Sequence, residues 1–218
     1  ILAHQITTRS KKTGRILLSH DLRQNYPGIL MHYFLKSSGV NITGTVQEGI
    51  FPGSDKNCIV YTSSFSLADI VKKLLEFSNN FIANQLMLTM GAYTYGPPAT
   101  LEKGTAILNK FAEETIGLRG VTIVEGSGLS RRNHMTPAQM SEILFAFMPW
   151  YEFLKRDGNE FYKTGTLSDV RSRAGFIRGK NNRLYPFVIM LNQTRTGYDA
   201  IRRMLKEKVS KVNPNLGH

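Results

Sequence analysis

The stretch FYKTGTLSDVRSRAGFIRGKNNRLYPFVIMLNQ, residues 161–193, decides the fold class. Its segments FYKTGTL, SRAGFIRG and YPFVIMLNQ predict three strands, and KNNR joins the last two as a hairpin. Helical patterns fill the middle of the chain, upstream of these strands. Helices followed by antiparallel strands predict an α+β fold, in which helices pack on an antiparallel sheet.

Several of the helical patterns have clear ends. Ser66, with Asp69 three residues on, predicts a capping box, and Thr136, with Gln139 three residues on, predicts another. A proline at position 27 is expected to open a short helix that ends at residue 39. The predicted helices lie within residues 27–39, 64–77, 81–91, 100–118, 136–147 and 197–212.

The segment 197–212 reads as a basic amphipathic helix, and Ile201, Met204 and Leu205 are expected to pack it onto the fold. Membrane-surface association of this helix is a second reading. Further strands are predicted in residues 2–8 and 14–19, in 41–49, around Cys58, and at the start of VTIVEGSGLS (121–130).

Charge and composition narrow the classes of partner. Lys and Arg number 28 against 16 Asp and Glu, which gives a net charge of +12 and favours nucleic acid, anionic lipid or an acidic cell-wall polymer. No apolar run approaches the roughly 20 residues that a membrane-spanning helix needs. The five histidines lack ligand spacing, so neither a metal nor another cofactor is expected. The chain begins ILAHQ, without Met or a signal peptide, and reads as an interior piece of a longer protein, although a processed mature protein would begin in the same way.

Residues 77–85 read FSNNFIANQ, with a Ser-Asn-Asn triplet inside an otherwise apolar helical stretch. Burying an unpaired hydroxyl or amide costs roughly 1–3 kcal/mol, so these side chains need a partner or a use. One interpretation is that Ser78 and Asn80 face a cleft and contact a substrate. The other is a helix-breaking turn with satisfied side chains.

Lys163-Thr164-Gly165 lies on a predicted strand edge before a hairpin, downstream of the Ser-x-Asn triplet in the chain. Neither motif is decisive alone, because both occur by chance in chains of this length. Together, in this order and context, they match the second and third motifs of the penicillin-interacting serine acyl enzymes.

The resemblance extends well beyond these two motifs. The segments VEGSGLSRRNHMTPAQM, PGILMHYFLKSSGVNITGTV and SLADIVKKLLEFSNNFIANQL resemble the low-molecular-mass class C penicillin-binding proteins, the D-Ala-D-Ala carboxypeptidase/endopeptidase family. The resemblance runs from about residue 25 to about residue 195. It implies the penicillin-binding, β-lactamase-like transpeptidase fold, here as an incomplete C-terminal portion. Residues 1–24 would be the tail of the family's accessory insertion, and residues 25–218 the end of the catalytic domain.

Two departures from the family stand out. The region between Met140 and Lys163 is shorter than the family usually has. No serine of the chain has a lysine three positions on, so the first motif, S-x-x-K, with its nucleophile and proton acceptor, is missing. The resemblance therefore implies a fragment without its own nucleophile.

By resemblance, Ser78 would pass a proton to the leaving amine of the terminal D-Ala, and Asn80 would hydrogen-bond the substrate peptide. Lys163 would bind the terminal carboxylate through its positive charge and tune Ser78. The family's remaining substrate-binding residues correspond to Thr164, Gly165 and Thr166. The backbone N–H of Thr166 would be one oxyanion donor. Gly165 would let the substrate backbone approach the strand without meeting a Cβ.

Other residues have structural readings from the sequence. Gly126 and Gly128 are expected to form a tight turn, and Ser127 to be a structural hydrogen-bonding residue rather than a nucleophile. Four arginines could meet anionic glycan or peptide carboxylates or could form a solvated basic face: Arg131, Arg132, Arg171 and Arg173.

The resemblance implies a serine D-Ala-D-Ala carboxypeptidase/endopeptidase that acts on peptidoglycan stem peptides through an acyl-serine and is acylated by β-lactams. The parent protein would work in the periplasm or another extracytoplasmic space, with peripheral membrane or cell-wall association as an option, and this fragment would be inactive. The alternative is a non-catalytic peptidoglycan- or partner-binding module. A nucleic-acid-binding protein is a weaker reading, because the cations are spread along the chain without a stacking or recognition-helix pattern.

Overall fold

A computed structural model describes residues 19–49, 61–193 and 197–212 of the chain. Contacts divide the chain into two units, residues 1–61 and 62–218. Helix α1 (His20–Ser37) belongs to the first unit. The second unit contains α2 (Leu67–Phe77), α3 (Asn80–Tyr95), α4 (Leu101–Lys110), α5 (Pro137–Phe147), β1 (Lys155–Asp157), β2 (Glu160–Thr166), β3 (Arg171–Arg178), β4 (Leu184–Leu191) and α6 (Asp199–Lys211). A π-helical turn (Phe111–Thr115) extends α4, and a 3-10 helix (Met148–Phe153) follows α5.

Helix α1 is longer than the sequence predicts, because it begins at His20 and contains Pro27 in its interior. The fixed φ of proline is helical, so Pro27 removes one N–H from the ladder without forcing a helix start. The helix ends as predicted: Gly39 has a φ of +85°, and its N–H bonds the Lys36 carbonyl at 3.1 Å. The Val40 N–H bonds the Leu35 carbonyl at 3.0 Å, which completes a Schellman motif.

The strand predicted in residues 41–49 is not formed. Val46 instead packs against α1, where a Cβ added to Gly28 would lie 2.5 Å from its Cγ1. The predicted strands at 2–8 and around Cys58, and the one at 14–19 apart from Ser19, fall outside the described residues. The division between residues 1–24 and 25–218 stays a prediction.

Helices α2 and α3 are separated by the polar triplet. The predicted capping box is present, since Ser66 Oγ accepts the Asp69 N–H at 3.2 Å and Asp69 accepts the Ser66 N–H at 3.2 Å. Ser78 ends α2 in the left-handed region with φ 53° and ψ 53°. Asn79 Oδ1 then caps α3 by accepting the Ile82 N–H at 3.1 Å. The triplet is therefore a helix-to-helix junction.

The sheet is antiparallel with the strand order β1-β2-β3-β4. The three predicted strands and their hairpin are confirmed, and β1 is a short additional strand that the sequence analysis missed. Strand β1 pairs only with Glu160–Tyr162 of β2. Within the described residues, Lys163–Thr166 therefore pair with β3 alone and leave their other edge free.

Both faces of the sheet are covered by helices. On one face, α5 and the 3-10 helix pack through a cluster of Leu144, Leu154, Phe161 and Phe176. On the other face, α6 packs on a cluster of Ile177, Phe187 and Ile189, using Ile201, Leu205 and Val209. The predicted role of Met204 is wrong, because its side chain is 49% exposed. Ile201, Leu205 and Val209 are spaced four residues apart and form the apolar stripe of α6 that faces the sheet, and Met204 lies beside this stripe.

The strand predicted from residue 121 is reduced to a single bridge between Thr122 and His134. Asparagine side chains replace strand partners here. Asn109 accepts the Ile123 N–H at 3.1 Å and donates to the Ile123 carbonyl at 2.8 Å. The backbone is thus satisfied without a ladder. The turn expected after it is present, and Gly128 has a φ of +77°.

None of the helices in the described ranges is long and apolar enough to span a membrane.

Candidate active site

The structure brings Ser78 and Lys163 together, although they are 85 positions apart in the chain. The Lys163 ammonium donates to Ser78 Oγ and also to the Thr164 carbonyl oxygen, the latter at 2.8 Å. Ser78 lies exposed in the left-handed turn between α2 and α3, and the side chain of Lys163 reaches it from β2. A hydroxyl and a lysine amine in direct contact at the junction of two helices are suited to proton transfer.

The surroundings of Lys163 disfavour its charged form. Burial lowers the pKa of Lys163 below that of an ordinary lysine, and the nearby positive charge of Lys155 lowers it further. Lys155 lies on β1 opposite Tyr162, the residue before Lys163. The sequence analysis did not single out Lys155, because nothing local marks a cation on a neighbouring strand. The only signal was a second lysine a few residues before the K-T-G motif.

The remaining K-T-G residues continue along the free edge of β2. Thr164 and Gly165 are partly buried, and Thr166 is exposed. Because successive side chains of a strand point to opposite faces, Thr164 and Thr166 lie on the other face of β2 from Lys163. A Cβ added to Gly165 would lie 2.5 Å from Ser172 Oγ on the paired strand β3. The missing side chain therefore makes room for Ser172 as well as for any ligand.

Asn80 is the first residue of α3 and is exposed. No hydrogen-bond partner of its side chain lies in the described part of the chain, whereas its neighbour Asn79 is used as the helix cap. The three residues of the triplet therefore have different surroundings: Ser78 contacts Lys163, Asn79 caps helix α3 and Asn80 faces solvent. The structure bears out the reading of the triplet as a turn between helices, whereas the contact of Ser78 and Asn80 with a substrate stays a prediction.

A carboxylate that the sequence analysis missed organises the loop after residue 124. Glu125 accepts from the Ser127 N–H at 2.7 Å, from Ser127 Oγ, from the Ser130 N–H at 3.2 Å and from Asn133 Nδ2 at 2.5 Å. Burial alone would raise the pKa of Glu125, but these hydrogen bonds outweigh it and lower the pKa to about 2. Ser127 is the structural hydrogen-bonding residue that was expected.

The same loop touches α3 close to the site. Asn84 Oδ1 accepts the Gly126 N–H at 2.7 Å. A Cβ added to Gly126 would lie 2.8 Å from the Ala83 carbonyl oxygen, so glycine is needed for this close approach. Nothing in the local sequence marks Asn84, because its partner lies 42 residues further on.

The four arginines have different surroundings. Arg131 donates to Ser168 Oγ at 2.9 Å and pairs with Asp169, in the turn that follows β2. Arg132 and Arg171 are exposed. The two readings offered for Arg173 are both wrong, since its side chain is buried and its Nε donates to Glu160 at 2.6 Å.

The described residues contain no cluster of three or more His, Cys, Asp or Glu side chains that could hold a metal ion. The groups that the described site presents are a hydroxyl, a partly buried lysine and a strand edge without a partner in the described residues. Such a set can bind an extended peptide with a carboxylate and can move a proton. The 218 residues contain no S-x-x-K motif, and the lack of a covalent nucleophile in the chain stays a prediction.

Comparison with known proteins finds a matching family, related sequences and related structures. The model of the D-Ala-D-Ala carboxypeptidase 3 (S13) family matches residues 5–151, a range that includes Ser78 and Asn80 and ends before Lys163. The D-alanyl-D-alanine carboxypeptidase DacB of Haemophilus influenzae is 28% identical over 197 residues, which cover 79% of this chain and 41% of that protein. The D-alanyl-D-alanine carboxypeptidase of Actinomadura sp. strain R39 is 25% identical over 72% of this chain and 35% of its own length.

Solved structures share the fold. Penicillin-binding protein 4 of Haemophilus influenzae aligns with a TM-score of 0.55 and 26% identity, over 59% of this chain and 34% of that one. Its complex with a β-lactam aligns with a TM-score of 0.56 and 24% identity, over 64% of this chain and 40% of that one. The predicted transpeptidase-like fold is confirmed, and the chain spans about two fifths or less of the length of the curated relatives it matches.

Proposed function

The chain belongs to the D-Ala-D-Ala carboxypeptidase 3 (S13) family, and from that premise we propose that it forms the C-terminal part of the catalytic domain of a serine D-Ala-D-Ala carboxypeptidase or endopeptidase. The parent protein would cleave peptidoglycan stem peptides through an acyl-serine and be inhibited by β-lactams. A β-lactam complex is known for the related penicillin-binding protein 4, which supports this class of inhibitor.

The observation that carries the proposal is the contact between Ser78 and Lys163. Two residues 85 positions apart meet beside a free strand edge, and each comes from one of the two motifs that the resemblance connects. A structural explanation is weak, because Ser78 is exposed and a surface hydrogen bond of this kind adds little stability.

In this proposal the free edge of β2 binds the end of the peptide. The Lys163 charge attracts the terminal carboxylate, and the Thr166 N–H donates to the oxyanion that forms when the carbonyl is attacked. Asn80, which lacks a partner in the described residues, donates to or accepts from the substrate backbone. Each of these groups is held by α3 or β2 before the substrate arrives, so little reorganisation is needed.

Ser78 has the role of a proton carrier. Its hydroxyl gives a proton to the amine of the leaving D-Ala, and it regains one from the base of the nucleophile's motif. Lys163 contacts Ser78 Oγ and, while charged, favours the loss of that proton. Burial and the nearby Lys155 lower the pKa of Lys163, and perturbed pKa values of this kind are common at sites that transfer protons.

The nucleophile would come from an S-x-x-K motif outside these 218 residues. The chain alone would then be inactive, because the covalent intermediate needs that serine. A substrate in the peptidoglycan layer would place the parent protein in the periplasm or another extracytoplasmic space.

Fluorescent-penicillin labelling tests the proposal. The 218-residue chain and the complete gene product are incubated separately with the probe, denatured and separated by gel electrophoresis. We expect covalent label on the complete gene product, at a serine followed by Lys three positions on, and none on the chain alone. Label on the chain alone would contradict its inactivity.

The absence of S-x-x-K, beside an intact Ser78–Lys163 contact, also supports a non-catalytic binding module. The same labelling separates the two functions. A complete gene product that lacks S-x-x-K, stays unlabelled and still binds peptidoglycan fragments would establish the binding module and refute the peptidase.

A further inference from the structure

The segment Glu125–Arg131, called the brace segment below, lies against the helix that carries the second motif. Asn84 Oδ1 accepts the Gly126 N–H at 2.7 Å, one turn along α3 from Asn80. The close approach at Ala83 leaves no room for a Cβ on Gly126. The brace segment is therefore fixed to the first two turns of α3.

The other end of the brace segment reaches the strand that carries the third motif. The Arg131 guanidinium bonds Ser168 Oγ at 2.9 Å and pairs with Asp169. Both acceptors lie two and three residues after Thr166, where β2 ends. An exposed ion pair of this kind contributes little by itself. It can fix the position of β2 only if the segment that presents Arg131 is rigid.

Glu125 supplies that rigidity. One carboxylate oxygen accepts from the Ser127 N–H and hydroxyl, and the other accepts from the Ser130 N–H and Asn133 Nδ2. Asn133 Oδ1 in turn accepts the Val124 N–H at 2.8 Å. Residues at both ends of the brace segment are thus bonded, directly or through Asn133, to the carboxylate of Glu125. An amide could not serve all four donors, because only one of its two polar atoms accepts.

We propose that Glu125 and Asn84 are positioning residues, which make the brace segment a rigid strut between α3 and the turn after β2. The strut sets the separation of the two motifs, and therefore the contact between Ser78 and Lys163. This inference rests on the proposed function, since the motif separation matters for catalysis only if both motifs act on one substrate. Neither residue touches the substrate in this assignment.

The test uses the complete gene product with Glu125→Gln and Asn84→Ala. The acylation rate constant with fluorescent penicillin is measured separately from the dissociation constant of the preceding non-covalent complex. We expect a fall of about tenfold to a hundredfold in the acylation rate constant, as for a small displacement of reacting groups. The dissociation constant should change by less than about threefold, because the strut acts on the chemical step.

Conservative variants and a matched control sharpen the test. Glu125→Asp keeps the carboxylate, and Asn84→Asp keeps the acceptor for the Gly126 N–H, so both should retain most of the acylation rate. Glu113→Gln removes an exposed carboxylate from the π-helical turn and should acylate as the unchanged protein does. Wild-type acylation in folded Glu125→Gln and Asn84→Ala would overturn the inference. If one of the two variants fails to fold, the other decides.

Hydrogen exchange separates this inference from the proposed function. The strut requires that Glu125→Gln speeds exchange within the brace segment and also in the two elements that it joins. These are reported by the Ile82 N–H of α3, held by Asn79, and the Leu167 N–H after β2, held by the Val170 carbonyl. Faster exchange confined to the brace segment would overturn the strut. Failure of the unchanged protein to react with penicillin would refute the proposed function, and the exchange pattern would still decide on the strut.

Discussion

Ser78 occupies a backbone conformation that a serine rarely adopts. A left-handed φ of 53° costs an L-residue roughly 1–2 kcal/mol. The capping and packing of the helices on either side, α2 and α3, offset this cost. In this conformation the Ser78 hydroxyl accepts a hydrogen bond from Lys163. Residues held in sparsely populated conformations cluster at functional sites, so this strain supports the role proposed for Ser78.

Ser78 and Lys163 are expected to act as one unit. In the complete gene product, Ser78→Ala or Lys163→Gln should each lower the acylation rate constant about 10²- to 10⁴-fold, the usual contribution of a positioned proton-transfer group. The double variant should lose little more than the worse single variant, because groups that act together are not additive. Lys73→Gln, on the exposed side of α2, is the control and should be unaffected. Additive losses would argue against a shared step.

The pH dependence of acylation depends on Lys155. In the proposed role Lys163 must be charged to bind the carboxylate, and burial together with Lys155 lowers its pKa, so activity should fall at a lower pH than the 10.5 of an ordinary lysine. Lys155→Gln removes one of the two causes and should move this alkaline limb to higher pH. Lys110→Gln, an exposed lysine on α4, should leave the limb in place. The measurement is the acylation rate constant across the alkaline pH range. An alkaline limb that Lys155→Gln does not move would contradict the influence of Lys155 on the pKa of Lys163.

The site residues differ in how well the sequence could predict them. Ser78 and Lys163 belong to motifs with fixed spacing, so local patterns pointed to them and the fold brought them together. Asn84 and Glu125 lie in segments that resemble the family, but nothing in those segments singles them out from their neighbours. Asn84 matters because of one backbone N–H that lies 42 positions away, and Glu125 because four donors converge on it. Both are properties of the folded backbone that a single sequence does not display.

Elements defined by local interactions were predicted well, and those defined by distant pairing were not. The capping box at Ser66 and the hairpin of β3 and β4 depend on residues close in the chain, and both are confirmed. The strand expected from residue 121 needed a partner strand, but asparagine side chains satisfied its backbone instead. The start of α1 was misplaced because proline favours the first turn of a helix, whereas Pro27 lies inside α1, where it leaves the ladder one N–H short.

Strands β2 and β3 approach so closely that one position between them excludes any side chain. A Cβ added to Gly175 would lie 1.9 Å from the Phe161 carbonyl oxygen of the paired strand. Gly175→Ala must push the strands apart, and overpacking of this kind costs about 1–3 kcal/mol or more. Chemical denaturation should report this loss, whereas Gly197→Ala, whose Cβ would meet no atom closer than 3.8 Å, should cost far less. Equal stability of the two variants would contradict the close approach.

At the scale of the molecule, one buried carboxylate connects the sheet to the last helix. Glu160 of β2 is fully buried and bonds Arg173 at 2.6 Å, Arg202 at 2.7 Å and Lys206 at 2.8 Å. Asp157 of β1 also pairs with Arg202. Part of the excess of basic residues is therefore used inside the fold. This network, with the apolar stripe of α6, holds the helix on the face of the sheet opposite to α5.

Glu160→Gln should destabilise the chain strongly. It leaves Arg173, which is 7% exposed, without its counter-ion, and breaking one partner out of a buried ion pair costs about 3–5 kcal/mol. Burial alone would raise the pKa of Glu160, but the bonds to Arg173, Lys206 and Arg202 outweigh it, so its pKa lies below the ordinary 4.5. A carboxylate with a lowered pKa contributes stability that is present above its ordinary pKa and lost as the pH falls through the folded value.

Urea denaturation at several pH values tests both parts of this prediction. The difference in unfolding free energy between the unchanged chain and Glu160→Gln should be largest above pH 4.5 and should shrink as the pH falls below that value, because acid protonates Glu160 in the unchanged chain. Glu207→Gln removes an exposed carboxylate of α6 that pairs with Lys211, and should cost little at any pH. A pH-independent difference for Glu160→Gln would mean that shape, rather than charge, holds α6 on the sheet.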